Sequence, residues 1–379
     1  MPTSTTITYA EPLKTTSALY FPALTGIRAI AAYIVFIHHE SADAGTWWAL
    51  FKDQLFIGVT IFFVLSGFLI TVRYYERFEI SASWFAGYIR KRVARIYPLY
   101  FLLTCLTFLL MQQWPQVYAD RPWISGINWD KPFIIFTNLT FLRGFFDDLK
   151  VTGIAQGWTL TVEESFYAAA PILFLLIRWR RWSLWIAPVV LALVAVMLFE
   201  LSRPIHQFFG FFRNLGFIFY VTFLGRSFEF ICGIALALYV KRNTPSVRSK
   251  PFATVFGLLW IAGSIAALMA TEFYYYGTAK TISLLLVNNV VLPIGVALFF
   301  FGLLAEQTLL RKVLETPLMD KLGKSSYAFY LIHLGVLNTA ISRFVTENMG
   351  VRFLLLVCVA WLLYQFVEKP AHRLLTPQH

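Results

Sequence analysis

The stretch that decides the fold is Leu24-Thr-Gly-Ile-Arg-Ala-Ile-Ala-Ala-Tyr-Ile-Val-Phe-Ile-His-His-Glu40, an apolar segment with one arginine near its start and two histidines near its end. Arg28 and His39 are eleven residues apart, close to three full turns of an α-helix, so both project from the same helix face about 16 Å apart. His38 is one residue out of register and points elsewhere. Polar groups are costly in a membrane-spanning helix, so this aligned pair is a candidate functional site.

The composition of the whole chain is that of a membrane protein. Of its 379 residues, 58% are hydrophobic and only 14% are charged, which is more apolar than a soluble domain of this length. The apolar residues occur in runs of roughly 18–22, the length that crosses a bilayer core. Many aromatic residues lie near the ends of those runs, where interfacial anchoring favours them. We therefore expect an all-α, polytopic transmembrane helical bundle.

The distribution of charge predicts about ten spans with both termini in the cytoplasm. The net charge of +12 sits mostly in short loops between apolar runs, which orients a membrane protein and argues against nucleic-acid binding. With this topology, 21 Lys and Arg residues fall on the inner side and ten on the outer side. The predicted spans are 23–39, 55–73, 94–112, 158–177, 184–200, 217–240, 252–271, 283–304, 325–343 and 352–368.

The region between the third and fourth spans is the weakest part of this topology. The apolar piece 133–142 is too short to cross a bilayer comfortably, so we predict an interfacial or re-entrant helix. If it spanned the membrane, the basic cluster Arg178-Trp-Arg-Arg181 would face outward, against the positive-inside rule. Residues 1–20 are predicted to be a disordered cytoplasmic tail, 21–373 a single transmembrane domain and 374–379 a C-terminal tail. The three cysteines lie inside apolar runs without metal-ligand spacing, so no metal is expected.

A histidine and two glutamates are predicted at similar depth near the outer face. In this topology His39 ends the first span, and Glu163 and Glu164 open the fourth. Histidine is the natural general base near neutral pH, and a neighbouring carboxylate orients it and stabilises its protonated form. The competing interpretations are a polar helix end meeting headgroups and an acidic first turn favoured by the helix dipole. The arginine Arg28 on the same helix favours the functional interpretation.

The inner loop Arg90-Lys-Arg-Val-Ala-Arg-Ile-Tyr-Pro98 is the second candidate site. Arg92 and Arg95 share a helix face. Guanidinium groups bind phosphate oxygens in a fork, so the loop would suit a phosphorylated ligand. From the residues alone, positive-inside anchoring or contact with anionic lipids explains the loop better.

Further polar residues lie within predicted spans. Arg226 and Glu229 are three residues apart in the sixth span and are predicted to pair, either as a structural ion pair or as a substrate contact. His333 lies near the middle of the ninth span, where a lone histidine usually bonds a neighbouring helix. Ser66-Gly67 fits close helix packing better than a nucleophile, and the sequence has no Gly-X-Ser-X-Gly elbow.

Taken together and in order, these segments resemble the membrane-bound acyltransferase-3 family of O-acyltransferases, which modify sugars and other small molecules. The resemblance covers nearly the whole chain. Ser165 and Ala328 differ from the residues common in the family, but neither replaces an expected catalytic residue. The matching segments are Arg28-x10-His39, Phe62-Phe-Val-Leu-Ser-Gly-Phe-Leu-Ile-Thr71, Arg90-x-Arg92-x-x-Arg95-x-Tyr-Pro98, Trp158-Thr-Leu-Thr-Val-Glu-Glu-Ser-Phe-Tyr167, Arg226-Ser-Phe-Glu-Phe-x-x-Gly233, Ser326-Tyr-x-x-Tyr-Leu-Ile-His333 and Glu368-Lys-Pro370.

The resemblance implies a cytoplasmic acyl donor, usually acetyl-CoA, and a hydroxyl of a carbohydrate-type acceptor. His39 would deprotonate the acceptor or relay the acyl group, and Glu163 or Glu164 would orient it. Arg28 would stabilise oxyanion charge or steer the donor. The CoA phosphates would be held by Arg90, Arg92 and Arg95, with Arg28. The residues expected along the substrate channel are Ser66, Trp158, Tyr167, Arg226, Glu229, Ser326, Tyr327 and His333.

The resemblance also implies a location in the bacterial inner membrane, and it leaves the substrates open. The candidate acceptors are an exopolysaccharide, a lipopolysaccharide sugar, a lipid-linked sugar and a secondary metabolite. The candidate acyl groups are acetyl, succinyl and longer chains. Family members that act on cell-wall polymers often carry an extracytoplasmic hydrolase-like domain. None is evident here, so we expect the protein to complete the transfer itself or to pass the acyl group to a separate partner.

The main alternative to an enzyme is a transporter or flippase of glycolipids or small molecules. The intramembrane charges would then line a polar path instead of a reaction centre. The inverted repeats common in transporters are not evident in the sequence, which weakens this alternative.

Overall fold

The computed structural model describes residues 20–117, 130–243 and 250–376. Within them the regular structure is helical, with a single isolated bridge between Phe146 and Phe211. The predicted disordered tail lies, except for Tyr20, outside the described residues, as do the last three residues of the predicted C-terminal tail. The all-α prediction is confirmed for the described part of the chain.

Seventeen α-helices follow one another in the described ranges, some of them joined end to end by short turns of 3₁₀- or π-helix. They are α1 (Pro22–His38), α2 (Trp47–Asp53), α3 (Ile57–Tyr74), α4 (Ala82–Gln113), α5 (Lys131–Leu139), α6 (Trp158–Trp179), α7 (Ser183–Ser202), α8 (Leu215–Val221), α9 (Phe223–Arg242), α10 (Phe252–Tyr274), α11 (Gly277–Leu286), α12 (Leu292–Ala305), α13 (Leu309–Leu314), α14 (Pro317–Ile332), α15 (Val336–Phe344), α16 (Met349–Leu363) and α17 (Lys369–Leu375).

Eight helical segments of the described chain are long and apolar enough to cross a membrane. They correspond to eight of the ten predicted spans, and the first predicted span is the shorter apolar helix α1. The segments are Trp47–Tyr74, Ala82–Gln113, Ala155–Trp179, Ser183–Ile205, Leu215–Arg242, Phe252–Tyr274, Gly277–Ala305 and Met349–Leu375. The total of ten spans and the cytoplasmic termini stay predictions.

The ninth predicted span, 325–343, is wrong as a single continuous helix. Helix α14 ends at Ile332, and α15 begins only at Val336. Gly335, a poor helix former, stands in extended backbone before α15. The Asn338 side chain donates a hydrogen bond of 2.8 Å to the carbonyl of His333, which replaces a partner lost at the break. His333 therefore lies at a helix end and not in the middle of a span.

The predicted interfacial or re-entrant piece corresponds to the short helix α5. It ends at Leu139, and Phe141 then turns the chain with a positive φ of 60°. Its relation to the bilayer stays a prediction.

Helix α3 lies at the centre of the bundle. It packs along α9 through Gly67 and Gly233, where a Cβ would collide with a backbone carbonyl of the facing helix. Small residues at such contacts let membrane helices approach closely. Helix α1 packs between α3 and α14, while α7, α10 and α16 expose most of their apolar surface. Ser66, next to Gly67, is thereby held in the middle of the protein.

Candidate active site

A narrow cavity of about 80 Å³ lies between α1, α3, α4, α6 and α14. Its lining follows α3 from Arg73 near one end to Val59 near the other, a distance of about 21 Å along the helix. Aliphatic and phenylalanine side chains form much of the wall. The polar and charged side chains on it are Arg28, Ser66, Arg73, Arg92, Arg95, Thr159, Glu163, Tyr167, Tyr327 and Tyr330.

Glu163 is the carboxylate on the cavity wall. It accepts a hydrogen bond of 2.6 Å from the Ser66 hydroxyl and a short one from the phenol of Tyr167, which lies one turn further along α6. Glu164 is half-buried and does not line the cavity. The structure thus joins three predicted site residues, Ser66, Glu163 and Tyr167, in one hydrogen-bonded group.

The predicted basic loop is the first part of helix α4, and only some of its arginines reach the cavity. Arg92 is buried, stacks near the rings of Tyr74 and Tyr167, and donates a hydrogen bond of 3.0 Å to the Tyr74 hydroxyl. Arg95 is half-buried and lines the cavity. Arg90 is exposed on the outside of the helix and lines no part of it, so it lies apart from the other predicted phosphate-binding arginines.

The cavity continues into a wider vestibule of about 290 Å³. Four residues line both spaces: Arg28, Leu69, Arg73 and Arg95. The vestibule is completed by side chains from α14 and from the C-terminal helix α17. It opens on the side that the charge distribution assigns to the cytoplasm.

His39 lies beyond the last residue of α1 and is exposed, with its Nδ1 atom 2.8 Å from the carbonyl oxygen of Val35. A carbonyl only accepts hydrogen bonds, so Nδ1 carries the proton of the neutral ring and Nε2 is left as the base. His38 instead faces the carbonyl of Lys52. No hydrogen bond or salt bridge between His39 and Glu163 or Glu164 is formed in the part of the chain that the structure describes, so the predicted orienting contact is not observed.

The partner beside His39 is His333, whose ring centroid is 5.3 Å away. His333 is buried, and its Nδ1 atom lies 2.8 Å from the carbonyl oxygen of Tyr330. Its Nε2 atom has no hydrogen-bond partner among the described residues. The ring of Tyr330, which lines the cavity, lies 5.4 Å from that of His333. A row of rings therefore connects the cavity wall with His39.

The remaining predicted channel residues do not form one channel. Arg226 and Glu229 make a fully buried, two-pronged ion pair, with both N–O distances at 2.7 Å, and line neither space. Ser326 is buried and bonds the Gly323 carbonyl within its own helix. Trp158 packs against the hydrophobic core. Tyr327 does line the cavity, and its hydroxyl bonds the carbonyl of Ile96.

Sequence reasoning missed Arg143, a fully buried arginine in the segment after α5. Its guanidinium donates to the Asn138 side chain at 2.7 Å and to the carbonyls of Thr152 and Ile154. It fixes the loop that leads into α6 and hence the start of the helix that carries Glu163. No periodicity marks a residue in such a loop, and its charge alone indicated only an outer loop.

Four vestibule cations were also not predicted as site residues, because their positions near span ends indicated only the orientation of the protein in the membrane: Arg73, Lys324, Lys369 and Arg373. Within the described ranges, no group of three or more His, Cys, Asp or Glu side chains could hold a metal ion.

Comparison with known proteins connects this arrangement to a family. Residues 21–365 match a family model described as an acyltransferase domain, of the acyltransferase-3 type. The chain is 26% identical to the acyltransferase MdmB of Streptomyces mycarofaciens over 93% of its own length and 92% of that protein. It is 25% identical to the O-acetyltransferase OatA of Staphylococcus aureus over 95% of its own length.

A further relative is the putative peptidoglycan O-acetyltransferase YrhL of Bacillus subtilis, 26% identical over 94% of the chain. The chain spans 58% of the staphylococcal relative and 56% of the Bacillus relative. No solved structure matches it. With its apolar helices, its cavity and a family match over most of its length, the chain belongs to the acyltransferase-3 family and is an integral-membrane O-acyltransferase.

Proposed function

We propose that the protein transfers an acyl group, in the first place acetyl, from cytoplasmic acyl-CoA to a hydroxyl of a carbohydrate-type acceptor on the outer side of the membrane. One observation carries the proposal: a narrow cavity runs from a basic vestibule to Tyr330, whose ring lies beside that of His333, and the His333 ring in turn lies beside that of His39. The long, thin arm of acyl-CoA fits such a passage with its thioester toward Tyr330. The phosphates of the CoA would then remain at the basic mouth.

The residues at the mouth suit an anionic donor. Arg28, Arg73 and Arg95 face both spaces, and none of their side chains forms a hydrogen bond or salt bridge with another residue that the structure describes. Guanidinium groups bind phosphate oxygens strongly. Arg92 is buried under Tyr74 and Tyr167. Its positive charge would favour the binding of a negatively charged group in this part of the cavity.

His39 then acts as the general base through Nε2. It takes the proton of the acceptor hydroxyl while that oxygen bonds to the thioester carbonyl carbon. The carbon–sulfur bond breaks, and the imidazolium returns the proton to the CoA sulfur, which gives an ester and free CoA. Arg28 lines both the cavity and the vestibule, about 16 Å from His39 along the helix, so its role is to steer the donor. The alternative that His39 carries the acyl group itself uses the same nitrogen.

The role proposed for Glu163 shifts from orienting His39 to holding Ser66 and Tyr167 in the cavity wall. A carboxylate that accepts two hydroxyl donors fixes both side chains, and it places one negative charge among the arginines of the cavity. Glu164 remains a candidate from the sequence only.

We also propose that the acceptor is an exopolysaccharide, a lipopolysaccharide sugar or a lipid-linked sugar, and that the membrane is the bacterial inner membrane. The name of the Bacillus relative, which refers to peptidoglycan, supports a carbohydrate acceptor. A separate extracytoplasmic transferase is a candidate partner. Membership of an acyltransferase family favours group transfer over the transporter alternative.

The test is CoA release from acetyl-CoA by the purified protein in nanodiscs with a mixed set of sugar acceptors. We expect His39→Ala to lower the rate about 10²–10⁴-fold, the usual contribution of a positioned general base. His38→Ala, one residue away and directed to Lys52, is the matched control and should keep most of the activity. Full transfer by His39→Ala would exclude this role. A folded wild type that neither binds nor consumes the donor would favour transport or a missing partner.

A further inference from the structure

Two buried hydrogen-bond acceptors near the end of the cavity that is far from the vestibule have no partner among the described residues. They are the amide oxygen Oε1 of Gln156, in the turn that leads into α6, and the ring nitrogen Nε2 of His333. Gln156 is 3% exposed and His333 is 1% exposed. Both side chains donate to one oxygen, the carbonyl of Tyr330, from Gln156 Nε2 at 2.6 Å and from His333 Nδ1 at 2.8 Å. The two unpartnered acceptors therefore belong to adjacent side chains.

The polar groups around these two acceptors use their hydrogens elsewhere. The Thr159 hydroxyl donates to the backbone carbonyl of Gln156 at 2.9 Å, so its oxygen accepts from the Tyr330 hydroxyl, which is 3.0 Å away. Thr159 and Tyr330 both line the cavity. Because these hydroxyls and the His333 ring N–H are engaged with one another and with the backbone, a group that pairs with Gln156 Oε1 or His333 Nε2 must bring its own O–H or N–H.

Packing alone does not explain the two acceptors. Buried polar atoms in folded proteins are nearly always hydrogen-bonded, and an unpaired one costs free energy that an apolar side chain of the same shape avoids. Gln54 shows the ordinary arrangement: it is as buried as Gln156, its amide donates to the carbonyl of Leu50, and it leaves no buried atom unpartnered in the described ranges. The pair Gln156–His333 therefore indicates a ligand that donates hydrogen bonds.

The pair lies next to the proposed general base. The ring centroid of His333 is 5.3 Å from that of His39, and His39 is exposed. A molecule that presents one hydroxyl to His39 has its neighbouring groups within a few ångströms of His333 and Gln156. Alcohols donate through O–H, whereas the phosphates and the thioester carbonyl of acyl-CoA only accept. The two acceptors thus suit the alcohol substrate and not those parts of the donor.

We infer that Gln156 and His333 form a hydroxyl subsite, which binds a second hydroxyl of the alcohol substrate beside the one that His39 deprotonates. The subsite selects polyhydroxylated acceptors, such as a pyranose with hydroxyls on neighbouring carbons, over alcohols with a single hydroxyl. The inference rests on the proposed function, since it names the chemical class of the acceptor. The second hydroxyl reaches the subsite past the exposed His39 ring.

The probes are methyl glucoside, methyl mannoside and methyl galactoside, each with its monodeoxy derivatives. Acetyl transfer from acetyl-CoA is measured on the protein in nanodiscs, and the hydroxyl that becomes acylated is identified first by NMR. We expect the loss of one other hydroxyl to lower kcat/KM at least tenfold, because the buried acceptors are then left unpaired. Equal kcat/KM for a glycoside and for every derivative that keeps the reacting hydroxyl would overturn the inference.

Gln156→Met and His333→Asn test the two residues separately. The first removes the amide at a similar side-chain length, and the second keeps a donor for the Tyr330 carbonyl but has no atom at the place of Nε2. In each variant the penalty for the missing hydroxyl should fall below threefold, a change of selectivity that a purely structural role does not produce. Gln54→Met is the matched control and should keep the wild-type ratio. An unchanged ratio in Gln156→Met and His333→Asn would overturn the inference.

Binding and donor kinetics separate this inference from the proposed function. Saturation-transfer NMR measures glycoside binding without turnover, and we expect the signal of the wild type to be lost in Gln156→Met. A wild type that binds the glycosides but releases no CoA would contradict the proposed function and leave the hydroxyl subsite standing. A wild type that acylates without selectivity would do the reverse. A raised KM for acetyl-CoA with unchanged acceptor selectivity would assign the pair to amide N–H groups of the donor and overturn the inference, as would the absence of any glycoside binding.

Discussion

A single backbone contact determines how His39 can act. Its position follows from the sequence spacing to Arg28, but the nitrogen that is free for chemistry depends on the carbonyl of Val35, which holds Nδ1. The same arrangement recurs at His333, where the carbonyl of Tyr330 holds Nδ1 and leaves Nε2 without a partner among the described residues. Two imidazoles whose Nε2 atoms have no hydrogen-bond partner in the described part of the chain thus lie side by side, with ring centroids 5.3 Å apart.

The buried ion pair Arg226–Glu229 should matter for stability and not for substrate binding. Each partner neutralises the other, Thr60 donates a further hydrogen bond of 2.8 Å to Glu229, and both charged side chains are almost completely buried. Arg226→Ala leaves Glu229 as an uncompensated buried charge, so we expect a loss of about 3–5 kcal/mol. Arg226→Met/Glu229→Leu, which removes both charges, should lose less.

Unfolding in detergent measures this difference. The matched control is Arg203→Ala, which breaks a pair with Glu200 at the same three-residue spacing but on the surface. Such exposed pairs contribute less than about 1 kcal/mol. Equal losses for Arg203→Ala and Arg226→Ala would show that burial does not decide the cost.

At the scale of helices, the contact of α3 with α9 positions Ser66 on the cavity wall. Gly67→Ala places a methyl group against the backbone carbonyl of Phe230, so the helices must separate. We expect a loss of about 1–3 kcal/mol from overpacking. Activity should also fall, because Ser66 and its hydrogen bond to Glu163 shift with the helix.

The control for this substitution is Gly263→Ala on α10, where an added methyl group would meet no atom within 4 Å. Alanine has the higher helix propensity, so this variant should be neutral or slightly more stable. Thermal unfolding and CoA release on both variants make the comparison. A Gly67→Ala protein with wild-type stability and rate would contradict the packing argument.

At the scale of the whole molecule, the charge distribution predicts which loops face the cytoplasm. The test uses a variant with all three native cysteines replaced, into which Ala44→Cys or Arg180→Cys is introduced; both positions are exposed. A membrane-impermeant maleimide added to intact cells should label position 44 and not position 180, whereas opened membranes should give both. Labelling of position 180 from outside would invert the predicted topology and place the vestibule on the wrong side for cytoplasmic acyl-CoA.

The sequence by itself determined the class of the protein and predicted several residues that line the cavity, among them Arg28, Ser66 and Glu163. Apolar runs of membrane length require helices, since a backbone in lipid must satisfy its own hydrogen bonds. The eleven-residue spacing aligned Arg28 with His39 because helical periodicity is local. The resemblance of the ordered motifs to a family of acyltransferases was confirmed by the match over residues 21–365.

The tertiary structure decided which of those residues meet. Glu163 bonds Ser66 and Tyr167, and His39 lies against His333, because helix packing sets the relative depth and rotation of α1, α3, α6 and α14. The break between α14 and α15, the buried Arg143 and the cations of α17 at the vestibule depend likewise on contacts between distant segments. Periodicity and local spacing carry no information about such contacts, which arise only when the helices pack together.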